Sequence, residues 1–197
     1  MDLIENEIKT LSPHGVKVCH HVSVDAQGNL WLCNRENGFI GCWLGLGISG
    51  DIERLTQPAD HLFSMDVGCS PFLKPMVWQE KVGVFIYHTH RQMILFLSEK
   101  GDVTELTRFP KKYGRVLDGV WGGHYVWLVT ADPQAPLHGI SLVDHAAVRP
   151  TEILEVNGFG ALSSLGMAED GRVLQLAFSK CLVRWRLGSQ VPTPWLR

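Results

Sequence analysis

The segment Asn6-Glu7-Ile8-Lys9-Thr10-Leu11 returns as Gly50-Asp51-Ile52-Glu53-Arg54-Leu55, as Gly101-Asp102-Val103-Thr104-Glu105-Leu106 and, more loosely, as Thr151-Glu152-Ile153-Leu154-Glu155-Val156. The copies begin at 6, 50, 101 and 151, so the chain advances in steps of 44, 51 and 50 residues. A period in that range marks a solenoid, a propeller or an array, where each repeat buries its apolar surface only against its neighbours. Such architectures host many unrelated functions, so the period constrains shape far more than chemistry.

Between successive copies lie short runs rich in Val, Ile, Leu and aromatic residues, punctuated by turn residues such as Gln27-Gly28, Lys100-Gly101, Asp132-Pro133 and Asp170-Gly171. The first interval holds 16–24, 29–34 and 39–46 and ends in the repeated strand at 51–56. The second holds 62–69, 84–89, 93–98 and 102–108, and the third 116–121, 125–130, 139–143 and 151–156. A last, incomplete interval holds 162–168, 173–178 and 182–187. No segment shows sustained helical spacing with caps, so the chain reads as all-β. Four strands per unit is the arithmetic of a propeller blade. Two landmarks share the period: a small residue in each first strand (Ser23, Gly68, Gly119, Gly166) and a bulky apolar residue in each second strand (Trp31, Phe85, Val126, Leu174). Small residues suit inner strands crowded around an axis.

The expected architecture is a single domain over 1–197, a four-bladed β-propeller with blades at about 16–56, 62–108, 115–157 and 161–187. The last blade lacks a fourth strand, and the tail 188–197, with Pro192 and Pro194, is a poor ladder strand. Pairing the N-terminal strand, residues 3–11, with the last three closes the ring and hides two edges. The alternative is an open half-ring that joins a second copy in a larger propeller, so the expected state is a monomer or a homodimer.

The stretch Val22-Ser23-Val24-Asp25-Ala26-Gln27-Gly28-Asn29-Leu30-Trp31-Leu32 resembles the Asp-x-x-Gly-Asn-Leu-Trp core of bacterial propeller repeats. These include the blades of two-component-regulator sensor propellers and of NHL-type and gluconolactonase-like propellers. Ala168-Glu169-Asp170-Gly171-Arg172-Val173-Leu174 is a weaker copy, and the resemblance covers one blade well. It implies a fold and no activity, since sensors, scaffolds and enzymes all use such blades.

Composition excludes several classes. Hydrophobic residues are 45% and charged residues 19% of the chain, which is globular composition. The formal net charge is −2 and no long basic run appears, so a nucleic-acid partner is not expected. The longest nearly uncharged apolar stretch, 39–49, is too short to span a membrane and is broken by glycines, and the acidic N-terminus is no secretory signal. Five scattered cysteines (Cys19, Cys33, Cys42, Cys69, Cys181) without a Cys-x-x-Cys pair read as reduced core residues, which places the expected location in the cytoplasm.

Nucleophile motifs, phosphate loops, dinucleotide fingerprints and His-Glu-x-x-His are lacking, so no catalytic residue, cofactor or metal ligand is assigned. Asp25, Asp66 and Asp118 on the inner strands read as turn or strand-end residues. The expected role is a non-catalytic scaffold binding a protein or peptide across one loop face. Its candidate contacts are Arg35, His88, His90, Arg91, Phe109, Lys111, Lys112 and Tyr113, because arginine and aromatic side chains dominate interface centres. For Phe109 and Tyr113 the alternative is that they plug the gap between blades. Two other readings stand beside this one: a metal-dependent hydrolase or isomerase around His88 and His90, and a small-molecule sensor.

Overall fold

The computed structural model describes residues 20–34, 39–43, 61–64, 70–122, 124–133, 135–145, 147–148, 159–168, 171–187 and 193–196. They form four antiparallel four-stranded sheets, the blades of an all-β, four-bladed propeller. Blade 1 is β1 (His21–Val24), β2 (Leu30–Asn34), β3 (Phe39–Trp43) and β4 (His61–Ser64). Blade 2 is β5 (Lys74–Trp78), β6 (Lys81–His88), β7 (Met93–Ser98) and β8 (Val103–Arg108). Blade 3 is β9 (Val116–Gly122), β10 (Tyr125–Thr130), β11 (Leu137–Ser141) and β12 (Ala147–Val148). Blade 4 is β13 (Leu162–Ala168), β14 (Val173–Phe178), β15 (Leu182–Arg186) and β16 (Thr193–Leu196).

Three expectations are corrected. The fourth strand of blade 4 is β16, not the N-terminal segment 3–11, which lies outside the described residues. Pro194 is tolerated there, opposite Val183, because among the described residues β16 is the edge of the sheet, and an edge strand needs only one row of ladder bonds. Blade 1 ends on β4, with Phe39 opposite Ser64, so residues 61–64 belong to blade 1 and blade 2 opens at Lys74. The repeated segments 51–56 and 151–156, and Gly68, fall outside the described residues.

The third correction concerns phase. Along β6 every residue from Val82 to His88 is buried, as is all of β7, because the blade is covered on both faces. Val84 and Ile86 join Trp31, Cys33, Ile40 and Cys42 of blade 1 in one apolar cluster. Phe85 and Tyr87 point the other way, into a cluster with Val126 and Leu128 of blade 3. Trp127 and Val129 in turn meet Leu174 and Leu176 of blade 4. The side chains facing the next blade are therefore Trp31, Phe85 and Trp127, and the fourth member of that series is Gln175. Val126 and Leu174 face backwards.

The inner strands stand side by side, β1 against β5, β5 against β9 and β9 against β13, the last pair packing most closely. Asp118, buried on the inner strand β9, binds across two seams. Its carboxylate accepts from Gly119 N (2.8 Å), Ser164 Oγ (2.6 Å) and Leu165 N (3.2 Å) of blade 4, and pairs with Lys74 Nζ (3.3 Å) of blade 2. Gly119 is small for cause, since a Cβ there would meet the Phe72 ring at 2.6 Å. The Asp25 turn explains the Asp-x-x-Gly-Asn-Leu-Trp pattern. Its carboxylate accepts from Gln27 N (2.9 Å), Asn29 N (3.0 Å), Asn29 Nδ2 (2.9 Å) and Trp31 Nε1 (2.8 Å), and Gly28 takes φ 79° to close the turn. Asn29 Nδ2 also reaches Glu99 Oε2 of blade 2 at 3.0 Å.

Replacing Asp118 by alanine leaves buried donors on two blades without their acceptor. We expect Asp118→Ala to lose about 3 kcal/mol in urea unfolding. A loss under about 1 kcal/mol would contradict the cross-blade role.

Candidate partner-binding site

With strands running alternately up and down, the β6–β7, β8–β9 and β10–β11 connections open on one face. The β6–β7 turn brings His90 and Arg91 out, and it is closed by Gln92 N donating to His88 O (2.8 Å). The β8–β9 connection begins at Phe109, whose amide donates to Gln92 O (2.9 Å), and Lys111 N donates to Gln92 Oε1 (3.0 Å). After Pro110 the chain makes a single 3₁₀ turn, Lys111–Tyr113, ended by Gly114. The two loops are thus stitched together through Gln92. Beneath them Tyr87 Oη donates to Phe109 O at 3.0 Å.

The expected contact residues divide into two sets. Arg91, Lys111 and Lys112 are exposed, as is His90. Tyr113 is half-buried and carries Lys112 Nζ 5.0 Å above its ring. His88 and Phe109, at 2% and 1% exposure, are packed inside and cannot touch a partner. Phe109 fills the seam, with its ring 6.4 Å from Tyr87, 5.3 Å from Tyr113 and 5.1 Å from His138, so it is the plug between blades. Arg35 lies outside the described residues.

Between blades 2 and 3 these loops leave a cavity of about 280 Å³, lined by Tyr87, Thr89, Lys111, Gly114, Arg115 and Val116. Sequence reasoning missed Tyr87 and Arg115; the signal for Arg115 was the basic run resuming beyond Gly114. Residues 88–98 and 106–117 contain Arg91, Arg108, Lys111, Lys112 and Arg115, and no Asp or Glu. Arg108 is paired with Glu105 at 2.8 Å; among the described residues the other four have no carboxylate partner. Asp132, half-buried beside Gly114, stands at the rim. The site can therefore receive an anionic group above an apolar floor.

Histidine-based metal chemistry finds less support. The His88 and His90 rings are 6.3 Å apart, and His88 Nδ1 accepts from Arg91 N at 3.4 Å. Among the described residues, no three His, Cys, Asp or Glu side chains come together in a way that could hold a metal ion. Among the same residues, no helix is long and apolar enough to cross a membrane. The Cys42 thiol is pushed up to about 12, first by burial and then by the charges of Asp25 and Glu99, which removes it as a nucleophile.

No protein-family model and no curated protein matches the chain. Solved structures do. The chain is similar to virginiamycin B lyase from Staphylococcus aureus at 14% identity and TM-score 0.60, over 91% of this chain and 55% of that one. The Cps50 (Swd1) β-propeller domain of Myceliophteria thermophila matches at 10% identity and TM-score 0.55, over 87% and 53% of the two chains. Hsv2 of Kluyveromyces lactis matches at 7% identity and TM-score 0.55, over 91% and 51%. These likenesses show a propeller fold alone, and the chain spans about half the length of the propellers it matches.

Two outcomes follow from the buried groups. At pH 8, Cys42 should stay unmodified by iodoacetamide in the folded protein and react on unfolding; mass spectrometry showing native-state labelling would contradict its burial. Burial also raises the Tyr87 phenol above its ordinary value of about 10. A raised folded value means that its contribution is complete below about pH 10 and is lost as pH climbs through the folded value. Alkaline melting curves of wild type and Tyr87→Phe should therefore converge.

Proposed function

We propose that this protein is a non-catalytic recognition module that binds an acidic peptide or protein segment across the face between blades 2 and 3. The observation that carries the reading is the pair Lys111 and Arg115 lining a cavity floored by Tyr87 and Val116, with Arg91 and Lys112 exposed on the same two loops, all four without carboxylate partners among the described residues. In a chain of net charge −2, such a concentration of cations is a local device. A carboxylate entering the cavity meets Lys111 and Arg115 at its wall, and an adjacent apolar side chain gains burial against Val116.

The loops are held in place before any partner arrives. Gln92 bonds both, and Tyr87 holds Phe109, so little ordering cost falls on binding. The similarity to a lyase and to a propeller domain of Swd1 is compatible with either catalysis or recognition, and at these identities it weighs for neither. What favours recognition is the site: two cations beside apolar surface, with His88 packed inside and away from any ligand.

Fluorescence polarisation with a labelled peptide bearing several glutamates and one leucine tests this reading. Binding should weaken with salt. The double substitution Lys111→Glu with Arg115→Glu should lower affinity at least tenfold, about 1.4 kcal/mol, with unchanged thermal stability. Lys180→Glu, an exposed change on blade 4, should leave it unaltered. Equal binding by all three proteins, or none, would overturn the proposal.

A further inference from the structure

Given that the face between blades 2 and 3 takes an anionic segment, the reading on which this inference rests, the donors of its cavity narrow the choice of anion. Thr89 follows His88 at the end of β6, Lys111 opens the 3₁₀ turn and Arg115 immediately precedes β9. Three separate pieces of chain thus bring one donor side chain each to the same cavity. Their backbones are fixed. Lys111 N donates to Gln92 Oε1, Gly114 N donates to Lys111 O at 2.9 Å, and Arg115 O accepts from Ala131 N of blade 3 at 2.8 Å. Gly114 takes φ 93° in this tight connection, and a Cβ there would press on Asp132 at 3.3 Å.

Among the described residues none of these donors is engaged by the protein itself: no hydrogen bond reaches Thr89 Oγ1, and no carboxylate pairs with Lys111 or Arg115. No carboxylate lines the cavity, and the Tyr87 hydroxyl already donates to Phe109 O. The polar lining is therefore two exposed cations and a hydroxyl, above a buried floor of Tyr87 and Val116. A carboxylate brings a single charge and leaves one of the two cations unneutralised. A phosphate monoester carries about −1.5 to −2 at pH 7 and three strong acceptor oxygens, which matches two cations and a third donor. The planar fork of Arg115 can take two of those oxygens at once. At about 280 Å³ the cavity is smaller than the sites of roughly 300–1,000 Å³ that enclose whole small molecules, so side chains suit it better than a free metabolite.

We infer that this cavity reads a phosphorylated serine or threonine standing next to a large apolar residue. The phosphate lies at the rim across Lys111, Arg115 and Thr89, and the neighbouring side chain goes down against Tyr87 and Val116. The order of the layers decides between phosphorylated residues. The cations are exposed and the apolar floor is buried, so a phosphotyrosine entering the cavity would carry its phosphate past the cations and onto apolar surface. A phosphate on a short stem stays at the level of the cations.

Calorimetric titration of the whole chain with three peptides tests this, identical except for phosphoserine, glutamate or serine beside one leucine. Phosphoserine should bind roughly fivefold or more tighter than glutamate, and serine weakest. Two conservative variants separate geometry from charge. Arg115→Lys keeps the charge but loses the fork, and Thr89→Val keeps the shape but loses the hydroxyl. Each should weaken the phosphopeptide roughly threefold or more while leaving the glutamate peptide nearly unchanged and the melting temperature unmoved. Glycine in place of the peptide leucine should also weaken binding. Equal affinity for the phosphoserine and glutamate peptides would overturn the inference and leave the acidic-segment reading standing. Binding of none of the three would end both. A preference for phosphoserine that neither variant reduces would also overturn it, because that result reports charge without a built phosphate site.

Discussion

A blade of four short strands has two faces and can cover neither alone. That constraint organises the molecule: each sheet stays dry only because the next one stands against it. The central strands show it directly, with β6 and β7 buried residue after residue on both sides, where a half-solvated sheet would alternate. It also explains why an aromatic side chain recurs at one position in each of the first three blades. Trp31, Phe85 and Trp127 each span the gap to the following sheet, about the spacing of two packed β layers.

The polar features are placed where that packing leaves backbone groups in need. Asp25 satisfies the amides of a tight turn and the indole of Trp31 at once, so a single carboxylate fixes both the hairpin entrance and the orientation of the seam residue. Gln92 does comparable work on the loop face, joining the β6–β7 and β8–β9 connections. The cation-rich surface is therefore mounted on bonded backbone, and its geometry is inherited from the seam below.

The period, the strand content and most strand positions were legible in the sequence, because repeat spacing and turn chemistry are local signals. Leu162–Ala168, Val173–Phe178 and Met93–Ser98 appear with the expected bounds. Phase was harder. Val126 and Trp127 are both bulky and apolar, as are Ile86 and Tyr87, so a doubly covered strand offers no alternation by which to tell its two faces apart. The pairing of Thr193–Leu196 was missed because two prolines argue against a strand, and only its place at a sheet edge relieves the objection. At the candidate site, Lys111, Lys112 and Arg91 could be read as exposed from loop position. The burial of His88 and Phe109 could not, since it depends on His138 and Tyr113 arriving from elsewhere in the chain.

Asp118 gives the molecule an uneven mechanical character. One carboxylate holds the inner strands of blades 2, 3 and 4, whereas Asn29 bonds blade 1 to Glu99 of blade 2. Loss of the Asp118 carboxylate loosens both seams at once, which couples three sheets into one cooperative unit. Blade 1 is the separable one. Native-state hydrogen exchange should show its amides opening as a group before the rest, a hinged flap on a rigid body, and uniform protection across all four sheets would rule that out.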